Sequence, residues 1–314
     1  MTTDALETVA GDSRGAAFEQ LVSPSLLAEA KRVELVTRRK IDTGLVGNYR
    51  SAFRGSGLLF ADVREYQPGD DVKHIHWKVS ARTGKVFVKS YEEDRQLRIL
   101  LALDISSSTA AGAFNASAFR SRQQRAIECA SLLTLLAAKS DDAVGLALFS
   151  NRVEEYIPPR KKRLQTQSIL LSLMRKRGLT PATDIKAVLS HLHKQERRPL
   201  VLFVISDFYS APFEQELRSL SFKHDVILTL IDQAADQDLV DCGIVEFEDA
   251  ESGKRTLIDT SNPNCRSAIR KLSESRVQAL KAMCERCSVD LLRIRDNPIG
   301  PLAELMRLRT SRLR

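Results

Sequence analysis

Cysteine is scarce in this chain of 314 residues, and tryptophan is nearly absent, with five copies of the one and a single copy of the other. Cys284-x-x-Cys287 has the spacing of half a zinc site, yet no second pair of suitable spacing accompanies it. The simpler reading is helix-face thiols kept reduced in the cytosol. Cys129 falls in an apolar helical pattern and reads as a small core residue. No apolar run approaches the roughly 20 residues that cross a bilayer. The opening stretch, MTTDALETVAGDSRG, carries acids and lacks a basic region followed by an apolar one, unlike a signal peptide. These absences lead to the expectation of a cytoplasmic protein without a membrane span. Also missing are a Gly-x-Ser-x-Gly elbow, a Gly-rich phosphate loop and a positioned general base, which weighs against an enzyme.

What is present is an ordinary globular composition, 43% hydrophobic and 28% charged, in a chain long enough for one sizeable core and a smaller appended module. The formal net charge is +8, from 48 Lys and Arg against 40 Asp and Glu. The excess gathers at Arg160–Arg163, at Arg175–Arg177, and at Arg307, Arg309, Arg312 and Arg314. Aromatic residues for base stacking are not interleaved with these clusters, so nucleic acid is not the favoured partner. They suit an acidic protein surface or plain solvation.

Periodicity divides the chain. SPSLLAEAKRVELVTRRKI reads as a helix, and after Gly44 come short, Gly-punctuated pieces in which KVFVKSY alternates as a strand. From Leu97 onward, near-continuously apolar strands alternate with helical patterns: LRILLALD, DAVGLALFS, PLVLFVISD, DVILTLID and VDLLRI are strands, and VEEYIP is an edge strand. A helix follows DAVGLALFS and VEEYIP and ends at Gly178; a long one runs from about Asn264 to Arg286, and a last one follows Pro301. Such strands are parallel and covered on both faces. The expected fold is a doubly wound, mostly parallel α/β domain over 97–314, preceded over 1–96 by a helix and a small β module.

In an open parallel sheet, ligands sit at the carboxyl ends of the strands where strand order reverses. LLALD ends in Asp104 and is followed by Ser106 and Ser108 at alternate positions, and VLFVISD ends in Asp207. GLTPATDIKAVL places Thr183 directly before an apolar helix, which it can cap. Each residue also has a structural reading, as a turn former, a helix cap or an acceptor of backbone amides. Gathered at one sheet edge, with no thiol or imidazole, these oxygen donors suit a hard cation, Mg²⁺ or else Mn²⁺ or Ca²⁺. Neutral hydroxyl ligands leave the ion electrophilic, able to take a carboxylate from outside.

LDISSS, TDIKAVL and VISD resemble the metal-ion-dependent adhesion site of von Willebrand factor A domains, over roughly Leu97 to Asp232. That resemblance implies that Ser106, Ser108 and Thr183 contact the metal directly, while Asp104 and Asp207 act partly through water. Ala182 stands where a glycine is usual. The upstream stretch FADVREYQPGDDVKHIHWKVSARTGKVFVKSYEED is similar to the signature of the bacterial domain-of-unknown-function family fifty-eight. Asp62, Arg64, Tyr66, Gly69, Asp70, Ile75, Trp77, Ala81 and Arg82 match its pattern. Many members carry transmembrane helices ahead of this signature, and the family implies partnership with a MoxR-type AAA+ ATPase in assembly or metal insertion.

Arg64, Asp70, Trp77 and Arg82 suit an ion-pair and stacking cluster that fixes the β module against the α/β domain. The same face can instead dock the ATPase. A third reading takes Asp70, Asp71, His74 and His76 as a transition-metal site. His191 and His193, two apart on a helix, are expected at the surface. The function expected is a non-catalytic adaptor that grips an acidic side chain of the ATPase or its client through Mg²⁺. A metal-dependent hydrolase or phosphatase and a nucleic-acid-binding protein are the alternatives.

Overall fold

The computed structural model describes residues 43–53, 57–67, 75, 77–94, 97–106, 122–161, 163–175, 183–232, 241–248 and 255–312. The helix expected before residue 42 and the stop at Gly178 lie outside them. A six-stranded sheet is built from β3 (Arg98–Asp104), β4 (Ala143–Phe149), β5 (Val153–Arg160), β6 (Val201–Ser206), β7 (Asp225–Ile231) and β10 (Asp290–Ile294). Its spatial order is β10-β7-β6-β3-β4-β5, with every neighbouring pair parallel except the antiparallel β4–β5 edge. The architecture is mixed α/β with a mostly parallel central sheet, as expected, and VEEYIP is indeed at an edge.

Alternation along the strands feeds two apolar layers. Ile99, Leu101 and Leu103 of β3 face one, with Phe203 and Ile205 of β6; Leu100 and Ala102 face the other, with Leu202 and Val204. The first layer is closed by α3 (Arg122–Lys139), α4 (Arg163–Met174) and α8 (Ile299–Arg312). The second is closed by α5 (Ile185–Gln195), α6 (Glu214–Ser221) and α7 (Pro263–Arg286). Cys129 is buried in the first layer; Cys284 and Cys287 are buried in the second as free thiols. Burial pushes the Cys284 thiol up to about 12, which keeps it from acting as a thiolate.

The segment after Gly44 departs from expectation. Residues 43–52 form a helix, α1 (Thr43–Ala52), where short Gly-punctuated pieces were expected. Leu45, Tyr49, Ala52 and Phe53 recur at helical spacing and enter the first apolar layer, and α1 packs on α8. Beyond it, β1 (Gly57–Glu65) and β2 (Phe87–Asp94) form an antiparallel pair, joined through a short helix, α2 (Trp77–Thr83). A second antiparallel pair, β8 (Ile244–Glu248) with β9 (Arg255–Asp259), lies between β7 and α7. The last helix begins two residues before Pro301, which sits in its first turn, where the missing N–H costs nothing.

The basic C-terminal helix is tied to the sheet. Arg309 forks onto Asp225 at 2.6 and 2.8 Å, donates from Nε to Asp290 at 2.6 Å, and lies 4.9 Å from the Phe53 ring. At least this part of the positive excess is structural rather than a free surface charge.

Candidate metal centre

The end of β3 and the end of β6 lie side by side, since β3 pairs with β6 from Ile99–Val201 to Leu103–Ile205. Asp104 closes β3 and Asp207 follows β6, so two carboxylates stand where strand order reverses. Both are buried. Asp104 Oδ1 accepts from the Ser106 amide at 2.9 Å, so the Asp-x-Ser step closes on itself as an Asx turn. Its Oδ2 accepts from the Ser206 hydroxyl at 2.6 Å. Burial raises the Asp104 carboxyl to about 6; the hydroxyls of Ser206 and Ser106 pull against that rise, and the nearby Asp207 charge adds to it.

Asp207 Oδ1 accepts from the Tyr209 amide at 3.2 Å, and its Oδ2 lies 3.6 Å from Arg122 Nη1. Between them Phe208 adopts a left-handed backbone (φ 55°), uncommon for so bulky a residue, and its amide donates to Ser206 Oγ at 3.0 Å. The turn is therefore held open by Ser206 from within.

Thr183 reaches the same edge through β4. Asp104 is the register partner of Phe149, and the Asp184 amide donates to the carbonyl of Ser150, one residue on, at 3.1 Å. Thr183 does not cap α5, as the sequence suggested. Asp184 does, accepting from the Ala187 amide at 2.9 Å. The Thr183 hydroxyl is thereby left buried with no hydrogen-bond partner among the described residues. A buried orphan hydroxyl costs about 1–3 kcal/mol and calls for a ligand or an ion.

Ser106 is fully buried at this edge, and Ser108 lies outside the described residues. Asp104, Ser106, Thr183 and Asp207 are thus brought to one end of the sheet. Among the described residues no three His, Cys, Asp or Glu side chains are placed to hold a metal by themselves, so a cation here relies on hydroxyl oxygens too. The donors present are oxygens, which fits a hard divalent ion. Sequence reading missed Ser206, Arg122, Tyr209 and Arg276. Of these only Ser206 left a signal, as the one hydroxyl in the run VLFVIS.

Of the upstream signature, Trp77 stands at the surface. Its side chain is 69% exposed, so it does not fasten the β module to the sheet, contrary to the packing expected of a lone large aromatic. It opens α2, seven residues long, on which Ala81 and Arg82 are exposed as well. Tyr66 is 37% exposed and follows β1, its amide bonded to the Val86 carbonyl. Ile75 makes an isolated bridge to Val88. Arg64 and Asp62 fall in β1, and Gly69, Asp70, Asp71, His74 and His76 lie outside the described residues. His191 is exposed, whereas His193 is half-buried with Nδ1 shielded from solvent.

A mostly parallel α/β sheet with buried acids and hydroxyls at the ends of neighbouring strands is an arrangement on which many unrelated activities are built. The chain belongs to the family of proteins of unknown function DUF58, which matches residues 62–279. Uncharacterised proteins of Mycobacterium tuberculosis and Mycobacterium bovis are 28% identical over 297 residues, covering 93% of this chain and 91% of theirs. The uncharacterised protein YeaD of Bacillus subtilis is 42% identical over 50 residues, 16% of this chain and 13% of its own. Among solved structures, an aerotolerance-related membrane protein from Bacteroides fragilis is 18% identical, over 69% of this chain and 99% of that one, at a TM-score of 0.39. BatB from Bacteroides thetaiotaomicron is 14% identical, over 68% and 99%, also at 0.39. Among the described residues no helix is long and apolar enough to cross a membrane.

Proposed function

We propose that the chain is a non-catalytic adaptor with a von Willebrand factor A-like domain, which binds a partner's carboxylate through a divalent cation. Asp104, Ser106, Thr183 and Asp207 would hold Mg²⁺, with Ser108 as a further ligand from the resemblance. The ion supplies a positive charge to which an acidic side chain can bind. The observation that carries the reading is the buried Thr183 hydroxyl, without a partner among the described residues, at the edge shared by two buried acids. Asp104 is engaged by Ser106 and Ser206 and Asp207 by the Tyr209 amide and Arg122, so both act as fixed anchors rather than as mobile bases. The partner proposed is a MoxR-type AAA+ ATPase or its client, on the strength of the family resemblance.

Thr183→Val separates this reading from a structural one. Removing an orphan hydroxyl leaves the unfolding free energy equal or higher. It should also shrink the rise in melting temperature that Mg²⁺ or Mn²⁺ gives the wild type, and Asp104→Ala should abolish that rise. A wild type whose melting is indifferent to both ions, or variants that respond as the wild type does, would refute the metal centre. Capture of a purified MoxR-type ATPase that needs Mg²⁺, and is lost in EDTA but not in high salt, tests the adaptor role.

A further inference from the structure

Two guanidinium groups converge on the residue Asp207. Arg122 is the first residue of α3 and its side chain is 10% exposed; Nη1 lies 3.6 Å from Asp207 Oδ2. That separation is an ion pair beyond ordinary hydrogen-bond reach. Arg276 of α7 donates from Nη1 to the Asp207 carbonyl at 2.6 Å. Its guanidinium lies 3.8 Å from the ring centroid of Tyr209, and that of Arg122 lies 5.8 Å from the same centroid. Asp104, by contrast, is met by the amide of Ser106 and the hydroxyls of Ser106 and Ser206.

Among the described residues, the two carboxylates of the cluster are matched by two guanidinium groups. A divalent cation bound to Asp207 must share that carboxylate with Arg122. Two cations on one buried carboxylate repel with little water between them, and the term falls slowly over a few ångströms. Arg122 faces the Asp207 carboxylate at 3.6 Å, outside hydrogen-bond distance, whereas Arg276 donates to the Asp207 carbonyl and lies on the Tyr209 ring.

We propose that Arg122 is a tethered counter-ion of this centre: it neutralises Asp207 in the metal-free protein, and a divalent cation displaces it. The proposal rests on reading the cluster as a metal centre. Arg122 then sets the affinity for the ion without being one of its ligands, and it lowers the occupancy at any given ion concentration.

The test is calorimetric titration of the full chain with Mn²⁺ and with Mg²⁺, at constant ionic strength. Arg122→Gln should bind either ion about tenfold more tightly than the wild type, whereas Arg122→Lys, which keeps the charge, should stay close to it. Equal or weaker binding by a folded Arg122→Gln overturns the inference and leaves the metal centre standing. Absence of binding by the wild type and by both folded variants overturns both. Should Arg122→Gln fail to fold, the wild type supplies the readout. In a spectrum of ¹⁵N-labelled arginine side chains, the Arg122 Nε signal, assigned from Arg122→Lys, should move at saturating Mg²⁺. A signal that stays in place as the ion binds is evidence against displacement and overturns the inference.

Discussion

His224 is buried, and neither of its ring nitrogens has a hydrogen-bond partner among the described residues. Burial lowers its pKa from 6.5 to about 4; Lys223, His193 and Arg98 push the same way, and Glu196 opposes them. The unfolded chain therefore takes up a proton, as pH falls from about 6.5 towards 4, that the folded chain resists. Stability contributed by the neutral ring is complete above pH 6.5 and is lost through that window, by an amount of order 3 kcal/mol. Urea unfolding at pH 7 and pH 4.5 should show the loss, and His224→Leu should flatten it; an equal slope in the variant would assign it to other groups. Trp77 makes the opposite point. With most of its side chain in water, Trp77→Ala should change the unfolding free energy by no more than about 0.5 kcal/mol, measured by urea denaturation. A loss of several kcal/mol would mean that the ring is packed in solution.

At the scale of elements, β4 and β5 meet more closely than ordinary strands. A Cβ on Gly145 would lie 2.6 Å from the Ile157 carbonyl oxygen and the Pro159 nitrogen, both backbone atoms. The register slips at that point, between Val144 and Leu146, opposite Pro158 and Pro159. Gly145→Ala must therefore push β5 away from β4, with an expected cost of about 1–3 kcal/mol and faster amide exchange along β5. Unchanged exchange would show that the strand can give without cost. Elements of this kind differ in how well the sequence announces them. The helix Pro263–Arg286 was expected from about Asn264 to Arg286 because its apolar stripe is long and its boundary residues are plain. The helix Thr43–Ala52 was not expected, because Gly44 and Gly47 read as punctuation; in the fold a Cβ on Gly47 would meet nothing within 4 Å. Strand β9 escaped notice for another reason: most of RTLID is exposed, so burial imposes no alternation on it.

For the whole molecule, α1 belongs to the same apolar layer as β3, α3 and α8. A chain cut to begin at residue 97 loses Leu45, Tyr49, Ala52 and Phe53 from that layer, and it should melt well below the full chain or fail to fold, as read by circular dichroism. Native melting of the shortened chain would make α1 an ornament. The candidate site was legible to the extent that strand ends carry acids and hydroxyls in sequence order. Asp104, Ser106, Thr183 and Asp207 could be placed at one end of the sheet because their elements could be read. Arg122 and Arg276 could not be, since only the packing of α3 and α7 brings them to Asp207, and Tyr209, two residues along the chain, has no place among the usual metal-ligating residue types. The prolines of β5 have a further consequence, for solubility. Pro158 and Pro159 have no amide hydrogen, so this outermost strand offers a broken row of donors to any second chain that tries to extend the sheet. Strand addition is discouraged on that flank, and stacking of copies into fibrils through it is blocked at its first step.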